Sequence, residues 1–319
     1  MKSYFLWGML FFLTVVIFGG IGKTASADDQ GNPPVKAAAG IQPISNLNNS
    51  WFVIYKIRDH IFAIGEPRYY QHNISYLIAG QKRALLIDAG ANATDEMLQV
   101  VKSLTDKPVS VLPTHLHFDH VGGLKYFDDI WLLDTPFVRS CKQSDGSYKI
   151  PGSFTLGFID KFELPAIKVN RMVAPDEIID LGRIKIKVVL APGHSQDEAV
   201  IYDMTDNMLF AGDFIFPGVL IGGNSGQYLD SCTRVIDLIN RDTEIYGAHA
   251  GENFSLVPKM YVSDIQALKQ FLIEFAAGRS EGTLFNIPEF INRGMHHPIN
   301  DRISYLDQVI WINGQEYKF

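Results

Sequence analysis

Cysteine is scarce in this chain: only Cys141 and Cys232 occur among its 319 residues. In an oxidising compartment these two thiols would be able to pair, but their separation along the chain does not define the geometry of a disulfide. The sequence is equally compatible with two free thiols buried on helices. Structural zinc sites are often rich in cysteine, so the sequence does not favour a site of that kind.

Basic residues are fewer than acidic residues. The chain has 28 lysines and arginines against 35 aspartates and glutamates, a net charge of −7. Removal of residues 1–27 would take away Lys2 and Lys23 and no acidic residue, leaving 26 basic and 35 acidic side chains and a net charge of −9. Such an acidic surface argues against a nucleic acid as the main substrate, unless a basic cleft overrides the net charge. We therefore expect a small-molecule substrate.

The N-terminus carries the features of an export signal. Lys2 precedes an apolar run over residues 4–21, and Ala25-Ser26-Ala27 fits a signal-peptidase site. We predict a signal peptide over residues 1–27 and a periplasmic or secreted protein without stable membrane contact. An apolar run of about 18 residues is close to the lower limit for a membrane span, so an uncleaved N-terminal anchor is the alternative. No cysteine stands directly after residue 27, so the sequence does not suggest attachment as a lipoprotein.

One short stretch concentrates metal-binding side chains. It reads Thr114-His115-Leu116-His117-Phe118-Asp119-His120-Val121-Gly122-Gly123. Neutral imidazoles and a carboxylate suit a divalent metal such as zinc, and a cation offsets the cost of crowding them together. A His-x-His doublet alone would also fit a solvated loop or a polar core. The interpretation therefore depends on further ligands downstream.

Further candidates follow segments that we predict to be strands. The alternating segment 184–188 leads to Pro192-Gly193-His194, and segments 199–202 and 208–210 predict a hairpin that leads to Asp213. A short strand over 243–246 precedes His249, which lies in a glycine-flanked turn. The full set contains five histidines and two aspartates: His115, His117, Asp119, His120, His194, Asp213 and His249.

This ordered pattern resembles the metallo-β-lactamase-fold hydrolases over roughly residues 51–255. All seven ligand positions of the family's two-metal version are matched. The strand-like segments 74–78 and 84–90, the second ending in Asp88-Ala89-Gly90, are similar to the family's early strand pair with its acidic turn. The resemblance implies an α/β fold, the four-layer αββα sandwich.

The resemblance also implies a role for each ligand candidate. His115, His117 and His194 would hold one zinc, Asp119, His120 and His249 the second, and Asp213 would bridge them. Paired metals of this kind lie about 3.5–4 Å apart and lower the pKa of a shared water to about 7, so a bridging hydroxide is the expected nucleophile. Asp119 would be the catalytic residue that orients this hydroxide and passes on its proton. Asp88 would orient ligands by hydrogen bonds. Iron or manganese in place of zinc is the alternative.

The pattern narrows the substrate class without defining the substrate. A bridging aspartate such as Asp213 resembles the glyoxalase-II/thioesterase-like and lactonase branches, and residues 117–127 with 209–213 are similar to the acyl-thioesterase members. We predict a zinc-dependent hydrolase of an ester, a thioester or a lactone. Phe216 occupies the place where similar quorum-signal lactonases carry a tyrosine, which argues against assisted lactone opening. Export would suit a β-lactam hydrolase, the first alternative. A non-catalytic metal-containing binding protein is the second.

The remaining segments define the predicted organisation. Residues 28–50 are expected to form a flexible leader, 51–280 the catalytic domain, and 281–319 a C-terminal extension whose closing strands, around Asn313-Gly314, pack on the same domain. Earlier strands are predicted at 51–57, 60–65, 74–79, 84–88 and 110–112, and helices at 95–104, 228–240 and 258–277. The sequence does not indicate the oligomeric state.

Two groups of residues have open roles. The insertion 135–180 would border the mouth of the site, with an aromatic and aliphatic set that would form either a substrate wall or ordinary core: Phe154, Phe158, Phe162 and Ile167. Four histidines lie outside any ligand spacing and are expected to have ordinary surface or core roles: His60, His72, His296 and His297. The last two would line a pocket if the C-terminal segment folded over the metals.

Overall fold

The computed structural model describes residues 41, 43–44, 51–217, 219–220, 222, 224–250, 257, 259–279, 282–284, 303–304, 309–312 and 315–318. Their strands are β1 (Val53–Arg58), β2 (Ile61–Gly65), β3 (Ile74–Ala79), β4 (Ala84–Ile87), β5 (Val109–Leu112), β6 (Trp131–Leu133), β7 (Arg171–Val173), β8 (Ile178–Asp180), β9 (Lys185–Leu190), β10 (Ala199–Asp203), β11 (Met208–Gly212), β12 (Val219–Leu220), β13 (Glu244–Gly247), β14 (Lys259–Met260), β15 (Gly282–Leu284), β16 (Ile303–Ser304), β17 (Val309–Ile312) and β18 (Gln315–Lys318). Their α-helices are α1 (Glu96–Leu104), α2 (Phe118–Val121), α3 (Pro136–Ser140), α4 (Gly152–Thr155), α5 (Ser225–Leu238) and α6 (Val262–Ala276).

Two sheets form the centre of the fold. The first has the order β1-β2-β3-β4-β5, and the second has the order β14-β13-β11-β10-β9-β8. Most neighbours are antiparallel, whereas β4 pairs with β5 and β11 with β13 in parallel. Parallel neighbours need a crossover connection, and helices α1 and α5 lie on these two connections.

The burial of alternate residues shows how the layers are stacked. In β3, Tyr76 packs between the two sheets while Leu77 packs on the outer side of the first sheet. In β10, Ile201 packs between the sheets while Val200 packs on the outer side of the second. Because both faces of each sheet are covered, apolar residues occupy successive positions in these strands rather than alternate ones.

Helices cover both outer faces. Val101 of α1 belongs to the core outside the first sheet, and Cys232 of α5 and Leu268 of α6 belong to the core outside the second. The arrangement is the predicted four-layer αββα sandwich. Apolar burial contributes roughly 25 cal/mol per Å², so the three cores together supply the main driving force for the fold.

The predicted strands and helices are present, with shifts at two helix starts. Helix α5 begins three residues before the predicted position because the Asn224 side chain caps it, accepting a hydrogen bond from the backbone N–H of Gln227 at 2.9 Å. Helix α6 begins at Val262 and not at residue 258, because β14 first pairs with β13. The helix ends before Gly278, which has a φ of +68° and serves as the predicted stop.

The terminal segments are described only in part. The predicted signal peptide lies outside the described residues, and so does most of the leader. Within the leader, the Ile44 backbone N–H donates to the Ile54 carbonyl at 2.8 Å. Near the C-terminus β17 and β18 pair antiparallel as expected, and Asn313-Gly314 between them lie outside the described residues. Strand β16 pairs with β12, so the C-terminal strands join a sheet that includes a strand of the catalytic region. The domain boundaries stay predictions.

The two cysteines are free and buried on opposite sides of the sandwich. Cys141 follows α3 in the core outside the first sheet, whereas Cys232 lies on α5 outside the second. Both sheets separate them, so they do not form a disulfide here. In the part of the chain that the structure describes, no helix has the length and apolar character needed to cross a membrane.

Gly122 and Gly123 allow the ligand-bearing segment to pack tightly against the loop after β4. A Cβ atom on Gly122 would lie 2.5 Å from the Ala91 carbonyl oxygen, and one on Gly123 would lie 2.9 Å from the Ala89 carbonyl oxygen. The helix α2 begins before these glycines, at Phe118, and a short 3₁₀ helix follows them at Leu124–Tyr126. The close approach therefore depends on the absence of a side chain at both positions.

We expect Gly122→Ala to lower the free energy of unfolding by about 1–3 kcal/mol, because the new methyl group meets backbone atoms that have little room to move. Gly152→Ala is the matched control, since no atom lies within 4 Å of its Cβ position. Denaturant unfolding of both variants measures the difference. Equal stability of the two variants would contradict the tight approach.

Candidate metal centre

The candidate ligands lie where strands of the two sheets end. His115 and His117 follow β5, and the short helix α2 carries Asp119 and His120. His194 follows β9, Asp213 comes directly after β11, and His249 follows β13. The fold brings these strand ends to one edge of the sandwich. Residues that are as much as 134 positions apart in sequence, such as His115 and His249, therefore share one site.

Three imidazole nitrogens converge in the first group. His117 Nδ1 lies 2.9 Å from His115 Nε2 and 3.0 Å from His194 Nε2. Each ring nitrogen is either a donor or an acceptor in a neutral imidazole, so three of them at this spacing cannot all satisfy one another. A cation that accepts lone pairs from all three would satisfy them together.

The second group combines a carboxylate with two imidazoles. Asp119 Oδ2 lies 3.6 Å from both His120 Nε2 and His249 Nε2. The backbone N–H of His120 donates to the His117 carbonyl in the turn at the start of α2. Asp119, His120 and His249 are all buried.

Asp213 lies between the two groups. Its Oδ1 is 3.0 Å from His249 Nε2 and 3.4 Å from His120 Nε2, while its Oδ2 is 3.5 Å from His194 Nε2. One carboxylate therefore faces both sets of imidazoles with different oxygens. This is the arrangement that a ligand bridging two cations requires.

Asp88 supports this centre from behind. Its backbone has a φ of +62°, a left-handed conformation that is uncommon for a residue other than glycine. In that conformation Oδ1 accepts from the Thr114 backbone N–H at 2.6 Å, and Oδ2 lies 3.0 Å from His120 Nδ1. The side chain thus orients the His120 ring so that Nε2 faces Asp119 and Asp213. Strained backbone of this kind is often found next to functional groups.

Buried Glu198 supports the other group and was not among the predicted site residues. Its Oε2 lies 3.3 Å from His115 Nδ1, and its Oε1 accepts from the Asp213 backbone N–H at 3.1 Å. Neighbouring Asp197 accepts from the Leu116 backbone N–H at 3.1 Å. The available signal was an adjacent pair of acidic residues directly before an apolar strand, a place where buried carboxylates need partners.

Polar groups near residues 71–73 contact the second group of ligands. His249 Nδ1 lies 3.0 Å from the Gln71 carbonyl oxygen, which leaves Nε2 directed toward Asp119 and Asp213. Asn73 Nδ2 donates to the Asp119 carbonyl at 2.6 Å and lies 3.4 Å from Oδ2 of the same residue. Support of this type sets the tautomer and direction of metal ligands in proteins.

The electrostatics of the first group suit metal binding. Burial, followed by the charge of His120, holds the pKa of His115 well below its ordinary value. Burial and then His194 lower the pKa of His117 in the same way. Both rings are therefore neutral at physiological pH, which is the form that binds a metal.

The second group balances buried charges of both signs. Burial lowers the pKa of His120, but Asp119, Asp88 and Asp213 outweigh it and raise that pKa well above the ordinary value. Burial raises the pKa of Asp213, but His249 and His120 outweigh it and hold the pKa well below the usual range. Burial, with Asp213 next in size, raises the pKa of Glu198 well above its usual range. A divalent cation would take over the compensating charge that protonated His120 carries.

These residues fit the metal that the fold implies. His120 Nε2 and Asp213 Oδ1 are buried atoms without a hydrogen-bond partner, and both are directed into the space between the ligands. Ligand atoms of His115, His117 and His194 lie within 4.8 Å of one another, as do those of Asp119, His120 and His249. Nitrogen and carboxylate donors suit zinc, iron or manganese, so the donor set does not identify the metal.

Aromatic side chains line the surroundings of the centre. The Phe154 ring, from the insertion 135–180, lies 6.4 Å from the His117 ring, and the Phe216 ring packs edge-on against His249 at 4.7 Å. Ile167 is buried in the core outside the first sheet, and Phe154 and Phe162 pack partly against that core. Phe158 is half-buried. The insertion therefore contributes to both the core and the rim of the site.

Among the described residues, His60 and His72 do not belong to these two ligand groups. His60 lies in the turn between β1 and β2, far along the chain from the ligands, and His72 has a left-handed backbone with a φ of +50° next to β3. His296 and His297 lie outside the described residues.

Comparison with known proteins agrees with this geometry. The family model described as the Metallo-beta-lactamase superfamily matches residues 71–246, which include six of the seven candidate ligands; His249 lies three residues beyond the matched range. The acyl-coenzyme A thioesterase MBLAC2 of Gallus gallus is 27% identical over 225 residues, covering 60% of this chain and 77% of that protein. A hydroxyacylglutathione hydrolase of Nitrosomonas europaea is 28% identical over 185 residues, covering 57% of this chain and 61% of that protein.

A solved structure shares the fold. A metallo-beta-lactamase from Pontibacter korlensis superposes with a TM-score of 0.52 at 17% identity, covering 70% of this chain and 99% of that one. At this level of identity the likeness concerns the architecture alone. The predicted fold class is confirmed by it.

We expect Asp88→Asn to weaken metal binding about 10- to 100-fold, because an amide nitrogen would replace the oxygen that faces His120 Nδ1. Asp176→Asn is a matched control: Asp176 also has a left-handed backbone, with a φ of +65°, but is exposed and pairs with Lys187 at 3.2 Å. Competition with a chelator of known affinity measures the change. Equal affinity in both variants would show that Asp88 does not orient the ligand.

Proposed function

Because this chain belongs to the Metallo-beta-lactamase superfamily, we propose that it is a hydrolase that uses two zinc ions to cleave an ester, a thioester or a lactone. The observation that carries the proposal is the position of Asp213, whose two oxygens face the two groups of imidazoles. A single closed structural site would need only four ligands. The centre offers seven, arranged in two sets around one shared carboxylate.

In this proposal His115, His117 and His194 hold one zinc, and Asp119, His120 and His249 hold the other, with Asp213 between them. When bound, two metals supply Lewis acidity and lower the pKa of a coordinated water to about 7. The neutral state of His115 and His117 favours occupancy at physiological pH. Asp88 holds the His120 imidazole in the binding direction, and Glu198 places a carboxylate oxygen 3.3 Å from His115 Nδ1.

Asp119 is the proposed catalytic residue. Its Oδ2 faces the interior of the centre, and Asn73 restrains both its backbone carbonyl and its carboxylate. A carboxylate restrained in this way can accept a hydrogen bond from the attacking water and take its proton.

The rim favours substrates with an apolar group, and a thioester is the class we favour within the proposal. Phe154 stacks with Phe137 at a centroid distance of 3.8 Å and extends an apolar surface toward His117. An acyl chain laid along this surface would bring its carbonyl to the centre. Two relatives named above are hydrolases of thioesters by their names, an acyl-coenzyme A and a hydroxyacylglutathione. Phe216, which lacks a hydroxyl group, offers no donor for a lactone oxygen.

Export from the cytoplasm is part of the proposal and rests on the N-terminal sequence. The apolar run over residues 4–21 and Ala25-Ser26-Ala27 support cleavage before residue 28. Mass spectrometry of the protein recovered from the producing cells, with fractionation, tests both the cleavage position and the compartment. A chain that retains residues 1–27 in a membrane fraction would indicate the anchored alternative.

We expect the purified protein to contain about two equivalents of transition metal and His117→Ala to contain less, with loss of hydrolysis. Elemental analysis combined with a panel of acyl-coenzyme A thioesters, esters, lactones and nitrocefin, with and without chelator, makes the measurement. Less than about one equivalent in the unaltered protein would overturn the proposal. Turnover of nitrocefin alone would favour a β-lactam hydrolase, and a metal-replete protein inert across the panel would favour a binding protein.

We expect Asp119→Asn to lower kcat about 10²- to 10⁴-fold while KM changes little, because the amide keeps the shape but cannot take a proton. Asp242→Asn, at an exposed side chain that lies 3.6 Å from neighbouring Arg241, is the control and should leave kcat unchanged. Steady-state kinetics at matched metal content measures both variants. An unchanged kcat in Asp119→Asn would remove this residue from the proton transfer.

A further inference from the structure

A second group of metal-type ligands lies at the opposite end of strand β11 from Asp213. His60 occupies the turn between β1 and β2, and Asp203 and Asp206 flank the turn between β10 and β11. One nitrogen of His60 and one carboxylate oxygen of each aspartate lie within 4.8 Å of one another. The length of β11 separates this group from the metal centre already described. It therefore forms no part of that centre.

The polypeptide arranges the two carboxylates before any ligand binds. Asp203 Oδ1 accepts from the backbone N–H groups of Thr205 and Asp206 at 2.8 and 3.1 Å. These bonds close the tight turn and fix the Asp203 side chain. His60 Nε2 lies 2.7 Å from Asp206 Oδ2, across the gap between the two sheets.

One atom of this group lacks a partner. Asp203 is fully buried, and its Oδ2 has no hydrogen-bond partner among the described residues. Leaving a buried carboxylate oxygen unpaired is unfavourable, and the neighbouring Asp206 adds a second negative charge. Burial, ahead of Asp206, raises the pKa of Asp203. A positive charge at this position would satisfy the free oxygen and offset the repulsion.

We propose that His60, Asp203 and Asp206 bind a third divalent metal ion, of the zinc type, which joins the two sheets. One imidazole and two carboxylates are donors that zinc accepts, and water would complete its coordination. His60 and Asp206 are each partly exposed, with 33% and 24% of their side-chain surface accessible, so an ion can enter from solvent. Asp203 is the interior ligand.

This metal ion would have a structural role rather than a catalytic one. His60 belongs to the hairpin of the first sheet and both aspartates belong to the hairpin of the second, so one ion would link parts of the chain that are 146 positions apart. A ligand that binds the folded state alone raises its stability in proportion to the logarithm of ligand concentration over Kd. Metal binding at this site would therefore raise the stability of the folded protein independently of hydrolysis.

The test measures zinc stoichiometry and thermal stability on the full protein. We expect equilibrium dialysis against Zn²⁺ to give about one equivalent more in the unaltered protein than in Asp203→Asn or His60→Gln, with hydrolysis unchanged. Zn²⁺ should also raise the Tm of the unaltered protein further than that of either variant. Asp180→Asn, at the exposed end of β8 in the same sheet, is the control and should retain the additional equivalent.

Each outcome has a definite meaning. If Asp203→Asn fails to fold, His60→Gln still decides, because that side chain is partly exposed in a turn and its loss removes one ligand without opening the core. Equal zinc content and an equal Tm shift in the unaltered protein and His60→Gln would overturn the proposal. The group would then be two turns joined by the His60–Asp206 hydrogen bond without a metal. The measurement compares variants that differ at this site alone. A negative result here would therefore not affect the two-metal hydrolase proposal, and failure of the hydrolase proposal would not affect this site.

Discussion

The rest of the centre depends on the contacts between the Asp213 carboxylate and the surrounding imidazoles. It faces His249 and His120 with one oxygen and His194 with the other, and all of these groups are largely removed from water. Buried charges of this density are unfavourable unless opposite charges compensate them. In the protein alone His120 carries that compensation, through a pKa raised well above its ordinary value. Two cations would carry it more completely, and the fold places donors for both.

The sandwich makes such a centre possible because its packing is independent of the site. Three apolar cores, one between the sheets and one on each outer face, hold the strands rigidly, while the ligands lie on the loops at one edge. Around them polar groups contact three of the rings: Asp88 lies 3.0 Å from His120 Nδ1, the Gln71 carbonyl oxygen 3.0 Å from His249 Nδ1 and Glu198 Oε2 3.3 Å from His115 Nδ1. Rigid support of this kind keeps ligands in position without a metal. It also accounts for the left-handed backbone of Asp88, which the surrounding contacts stabilise.

The opposite edge of the same sandwich uses similar chemistry for a different purpose. There two hairpin turns approach each other through His60 and Asp206, with buried Asp203 behind them. No sequence spacing connects His60 with these aspartates, and on sequence grounds it was an ordinary histidine. The approach arises because the first sheet lies face to face with the second, which brings one turn from each sheet together. Glu198 and Asn73 at the metal centre were missed for the same reason, since each contacts ligands that are distant in sequence.

Local sequence was sufficient for the longer strands of the two central sheets, the hairpin between β10 and β11, and the dense ligand stretch His115 to His120, because periodicity and ligand spacing are properties of neighbouring residues. The short strands β6, β7, β8, β12 and β14 were not predicted. The order of the remaining ligands, with the family resemblance, was enough to predict the four-layer architecture. Only the tertiary structure decided which donors face each other, how Asp213 lies between the two groups and which buried carboxylates support them. Those relations depend on the stacking of two sheets, and burial, not spacing, sets the charge state of each group.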